Sequence, residues 1–181
     1  HSFPTRRSSD LGMTWMLAGD HPDKVQKIVL LNSAGYDVEK VASKLIMFRF
    51  KSVKAIFERG MPLFTSMAGL KTCYADKNRV DENVVKINNV ITNREGNIKH
   101  MMNLADGARF PDTALIKRVQ CPTLIVWGQQ DEIVPVDHAY RFKRDIANSE
   151  LVIFDPCGHV PMMELPTATA DTIHAFFTKY N

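Results

Sequence analysis

The 181-residue chain predicts an α/β fold of parallel strands flanked by helices. Three observations carry that expectation. Two apolar runs, Thr123–Trp127 and Glu150–Phe154, are too short for helices, and each ends in a turn that presents one ionisable residue. Those residues are Asp131 and His159. Between the runs lies an amphipathic stretch, Val136–Ile146, with Ala139, Phe142 and Ile146 at helical spacing. A third aliphatic run, Val25–Leu31, stands early in the chain. Short strands alternating with helix-length segments imply parallel pairing, with helices covering the faces of the sheet.

The elements follow in order. Met13–Gly19 is apolar all round apart from Thr14 and reads as a buried helix ending near Asp20-His21-Pro22. Val25–Leu31 reads as a strand closed by Asn32-Ser33-Ala34-Gly35. From Asp37 to Phe57 the spacing of Val41, Leu45 and Phe48 turns helical, and Gly60-Met61-Pro62 breaks it. Asp81 is placed to cap a helix through Val84, Val85, Ile87, Val90 and Ile91. After Gly96-Asn97, a further helix carries His100, Met101, Met102 and Leu104. Val119-Gln120-Cys121-Pro122 leads into the strand before Asp131. Thr167 or Thr169 is the expected cap of a final helix that buries Ile173, Phe176 and Phe177.

Composition narrows the function classes. Apolar residues make up 45% of the chain, enough for a real core. Twenty-three basic residues against 20 acidic ones leave a net charge of only +3, with no basic stripe and no aromatic–basic interleaving, so no nucleic-acid partner is expected. No apolar run approaches the roughly 18–20 residues of a membrane span. Cys73, Cys121 and Cys157 are odd in number and widely spaced, without ligand spacing to histidine. Neither a metal site nor a disulfide framework is expected from them. A reducing, cytoplasmic compartment is the mild preference.

The two C-terminal stretches resemble the last core strands of the α/β-hydrolase superfamily. Asp131 sits in a W-G-x-x-D-x-x-V-P setting and His159 in G-H-x-P-x-x-E-x-P, here Gly158-His159-Val160-Pro161-Met162-Met163-Glu164-Leu165-Pro166. The resemblance reaches back to His21-Pro22-Asp23-Lys24-Val25 and Ile28 to Gly35, similar to the end of the helix after the nucleophile and the strand beyond it. It implies the C-terminal portion of an α/β-hydrolase fold, with an inserted helical lid. The implied organisation is a core segment at 12–35, a helical lid at 36–114 and a second core segment at 115–181. Phe50, Phe57, Met61, Phe64 and Met67 are candidates for lining a pocket or for packing the lid.

That family holds its nucleophile in a G-x-S-x-G elbow, in the chain order nucleophile, acid, histidine. The expected position falls near Ser8 and Ser9, whose neighbours Arg6, Arg7, Asp10 and Leu11 include no glycine. His1–Leu11 matches one reading frame of a common sequencing-library adapter and is set aside as a non-native segment. The resemblance therefore implies a fragment of a serine hydrolase of carboxylesterase type, whose triad serine is missing. In it, Asp131 orients the imidazole and His159 moves the proton. The implied substrate is a small apolar ester or acyl compound, with no cofactor. Epoxide or haloalkane hydrolysis by an aspartate nucleophile, carbon–carbon bond hydrolysis, and a non-catalytic small-molecule receptor remain open, as does the oligomeric state. The chain by itself is expected to lack esterase activity and to dissolve poorly, because the strand at Val25–Leu31 bares an apolar edge.

Ser33, Cys157, Asp155 and Glu164 are read as structural, with Glu164 fixing local backbone. Asp137-His138 is read as a solvated helix N-terminus, and His100 and His174 have no partner pattern.

Overall fold

The computed structural model describes residues 8–36, 60–99 and 112–180, with side chains from residue 12 onward. Among these residues three strands form a parallel sheet in the order β1-β2-β3: Ile28–Leu31, Thr123–Gly128 and Ser149–Phe154. Ile28 pairs with Thr123, and Thr123 in turn with Ser149, so the three strands start level. Every residue of β2 is buried, as a central strand covered on both faces requires.

Alternate residues of the strands feed two cores. Ile28, Leu30, Ile125 and Trp127 join one cluster. It includes Trp15 and Ala18 of α1 (Ser8–Asp20). The same cluster takes Ala139 and Phe142 of the helix after β2, with Ile146 just beyond its end. Leu124 and Val126 face the other way, onto Phe176 of the C-terminal helix, with Val29, Leu31, Val152 and Ile173 around them. The period-2 alternation of a strand thus gives each side of the sheet its own apolar layer. At Gly19 an added Cβ would overlap the carbonyl of Leu115, so the close approach of α1 to the 3-10 helix Thr113–Arg118 requires glycine.

Several expectations need correction. The strand at 25–31 is shorter than its apolar run and begins at Ile28. The helix at 13–19 is not buried all round, since Met13 and Leu17 are about half exposed while Trp15 is fully covered. No threonine caps the final helix. Its first residue is Pro166, whose missing N–H is one of the unpaired donors at any helix start, and Thr169 lies buried within the first turns.

The second compact unit includes α2 (Leu63–Cys73) and α3 (Glu82–Thr92). Asp81 caps α3 as expected, its carboxylate accepting from Asn83 N at 2.6 Å. Asn89 ties the helices together, donating to Met61 O at 2.8 Å and to Ser66 Oγ at 2.9 Å. Val85 is buried, whereas Ile87, Val90 and Ile91 are exposed. Of the candidate lining residues, Phe64 is 76% exposed and Met61 and Met67 are half-buried. Phe50, Phe57, His100, Met101, Met102 and Leu104 lie outside the described residues.

Candidate active site

Both chemically marked side chains leave the carboxyl ends of neighbouring strands, where α/β sheets collect their functional groups. Asp131 follows β2 by three residues, and its backbone N–H closes a turn onto Gly128 O at 3.3 Å. His159 follows β3 by five residues. The two turns are pressed together, and at Gly128 any side chain would overlap the carbonyl oxygens of Cys157 and Gly158. Glycine at the end of β2 is therefore a condition for the two turns to meet.

The Asp131 carboxylate is fully buried and has a partner on each side. Oδ1 accepts from the backbone N–H groups of Ile133 at 2.8 Å and Val134 at 2.9 Å. Oδ2 lies 2.8 Å from His159 Nδ1. An ionised carboxylate only accepts, so Nδ1 is the donor of this pair, and in the neutral imidazole that leaves Nε2 its lone pair. The His159 ring is 7% exposed, and no described residue is hydrogen-bonded to Nε2.

Other residues of the same two turns brace this arrangement. Gln130 donates to Asp155 Oδ1 at 2.6 Å and accepts from Cys157 N at 2.9 Å, so one amide spans both turns. The buried carboxylate of Glu164 accepts from Gly158 N at 2.6 Å, immediately before the histidine. Glu164 is carried by α5 (Pro161–Glu164), and α6 (Pro166–Lys179) follows at once. The P-x-x-E spacing thus returns a carboxylate to the backbone of the histidine's turn. The Cys157 thiol is fully buried beside it, 3.8 Å from Glu164 Oε1.

Sequence reasoning passed over two residues here. Asn32, read only as part of a closing turn, is fully buried at the end of β1 and donates to Asp131 Oδ2 at 2.6 Å. His138 was expected in solvent but is buried on α4 (Asp137–Asp145), edge-on to the Tyr36 ring with centroids 5.5 Å apart. Burial, together with the Arg141 guanidinium, pushes the His138 imidazole below its usual range. Tyr36 itself is held above the usual phenol range by burial and by its hydrogen bond to Asp145 Oδ2 at 2.9 Å. The only sequence signal for Asn32 was its residue type, placed directly after a strand.

Ser33 is buried with its hydroxyl turned to Ala34 O at 3.2 Å, and His174 sits on α6 beside Thr178. Among the described residues no group of three or more His, Cys, Asp or Glu side chains is arranged to hold a metal ion. Among the same residues, no helix is long and apolar enough to cross a membrane.

Parallel strands with helices on both faces, and an acid and a histidine on adjacent strand ends, define a class. A family model described as the alpha/beta hydrolase fold matches residues 67–166, and the chain belongs to that family. Among individual proteins, the chain is 30% identical over 168 residues to the 2-hydroxy-6-oxo-6-(2'-aminophenyl)hexa-2,4-dienoic acid hydrolase of Metapseudomonas resinovorans. That match covers 88% of this chain and 53% of the relative. It is also 37% identical over 73 residues to the monoacylglycerol lipase ABHD6 of Bos taurus, covering 40% of this chain and 22% of the lipase. The solved meta-cleavage product hydrolase of Pseudomonas fluorescens IP01 superposes with a TM-score of 0.76 over 97% of this chain and 64% of its own. At 20% identity that likeness is one of fold. The chain spans about half the length, or less, of these curated relatives.

Proposed function

We propose that Asp131 and His159 are the acid and base of a hydrolase that cleaves an acyl bond, in the first instance a carbon–carbon bond of a 2-hydroxy-6-oxo-dienoic acid. The observation that carries the reading is the buried 2.8 Å contact between Asp131 Oδ2 and His159 Nδ1. With Nδ1 protonated, Nε2 is the basic atom. It takes a proton from the nucleophile and later returns it to the leaving group. Asp131 keeps the imidazole in this tautomer and stabilises the imidazolium that forms. No described nucleophilic side chain is hydrogen-bonded to the ring, and the reading takes the nucleophile from the part of the fold that the relatives have and this chain does not span.

Support for the carbon–carbon substrate comes from the Metapseudomonas relative, whose match runs through most of this chain. An ester is the second reading, favoured by the lipase match. Both share the acyl carbonyl and differ in the atom that leaves. The test is to extend the coding sequence upstream and assay the longer protein on a meta-cleavage product and on a short p-nitrophenyl ester. We expect turnover of the dienoic acid to exceed that of the ester. His159→Ala is expected to lower kcat by about a thousandfold or more on either substrate. Turnover that survives His159→Ala would sink the assignment of the base. An ester preference would transfer the substrate to the second reading.

A further inference from the structure

Asn32 stands one residue beyond β1, on the strand beside the acid's. Its backbone N–H donates to Val126 O at 3.0 Å and continues the ladder. Its φ is +47°, a left-handed conformation that asparagine tolerates better than most side chains. Turn formation alone accounts for none of what the side chain does. A turn-forming asparagine bonds backbone a residue or two away. Here Nδ2 donates at 2.6 Å to Asp131 Oδ2, which is 99 residues distant, and at 3.3 Å to Gly158 O, which is 126 residues distant. The amide oxygen Oδ1 is buried without a partner among the described residues. Glycine would adopt the same φ at no steric cost and would bury no polar group.

The placement has a geometric consequence. Ile133 N and Val134 N restrain only Oδ1 of the acid. Oδ2 is the oxygen that meets His159, and Asn32 is its other partner. The same amide reaches the carbonyl of Gly158, the residue bonded directly to His159. One side chain therefore links the ends of all three strands: its own, the acid's and the histidine's.

We propose that Asn32 is a positioning residue, whose amide fixes Asp131 Oδ2 and the histidine's turn in the single relation that holds the Nδ1 hydrogen bond. This rests on Asp131 and His159 being the working pair. A neutral donor is what the position needs. It adds a hydrogen bond to the carboxylate without the second negative charge that an aspartate would bring against it.

The experiment reads the imidazole directly and needs no substrate. In the chain labelled with 15N in its histidine rings, the His159 Nδ1 proton gives a resonance whose exchange with solvent reports its hydrogen bond. Asn32→Gly removes the amide and relaxes the left-handed backbone. Asn32→Asp keeps the size and the backbone tolerance but turns a donor into an acceptor. Both are expected to speed exchange by about tenfold, the scale of one charge-assisted hydrogen bond. Exchange within about threefold of the parent in either variant would overturn the proposal, leaving Asn32 a turn residue. Asp131→Asn in the otherwise unchanged chain separates the two readings. If it leaves the Nδ1 proton undisturbed, the Asp–His pair itself fails, whatever Asn32 does.

Discussion

After β2, Asp131 accepts two hydrogen bonds from its own turn, at Ile133 and Val134; after β3, no atom of the histidine's own turn is bonded to the His159 ring. The acid is fixed locally. The histidine is fixed through the backbone of its turn, by Glu164 and Asn32 on Gly158 and by Gln130 on Cys157. The difference suits the roles proposed for the two groups. A carboxylate that only orients and stabilises works best with both oxygens committed. A base must keep one ring nitrogen for chemistry, so its support has to come from the backbone beneath it.

This asymmetry sets the largest predicted effect. Asp131→Ala leaves Ile133 N, Val134 N, Asn32 Nδ2 and His159 Nδ1 without their common acceptor. We expect a loss of about 3–5 kcal/mol in urea unfolding, the range for breaking one partner out of a buried charged network. His159→Ala removes one hydrogen bond and leaves Asp131 its other three donors, for about 1–2 kcal/mol. Equal losses in the two variants would show that the acid's turn is not the anchor.

A smaller effect probes the seam between the turns. Gly128→Ala sets a methyl group against the carbonyls of Cys157 and Gly158, which are backbone and cannot rotate away. Overpacking of this kind costs about 1–3 kcal/mol. It should also part the turns, so the His159 Nδ1 proton is expected to exchange faster together with the loss of stability. A stability loss with an unaltered Nδ1 resonance would mean that the strain is absorbed elsewhere and that the contact at Gly128 does not set the pair's geometry.

How much of this was legible in the sequence follows the same division. The acid's turn is local, so its pattern is continuous in sequence: an apolar run, a glycine at the close approach, an aspartate two places before an acceptor-seeking N–H. The histidine and Glu164 are likewise within one short motif. Asn32 was not legible because both its side-chain partners lie in the turns after other strands, and nothing near position 32 records them. His138 failed for a related reason. The sequence shows a charged, polar helix start at Asp137-His138, but the Tyr36 ring that covers the imidazole lies far upstream. Met13 and Leu17 show the limit from the other side, since apolarity states what a residue can cover and not whether a partner covers it.

The smallest predicted effect concerns that misread histidine. His138 faces Tyr36 and, through charge, Arg141, Asp137 and Asp131. Desolvation and Arg141 lower its proton affinity in the folded chain, whereas the unfolded chain titrates near 6.5. As pH falls past 6.5, the unfolded state therefore takes up a proton before the folded state does. The stability that neutral His138 contributes is complete above 6.5 and is lost as pH falls through the lower, folded value. His138→Phe keeps a ring against Tyr36 and removes the titration. Between pH 7.5 and pH 5.5 the variant should lose less stability than the parent in urea unfolding. An identical pH dependence in the two proteins would place the imidazole back in solvent, where the sequence alone had put it.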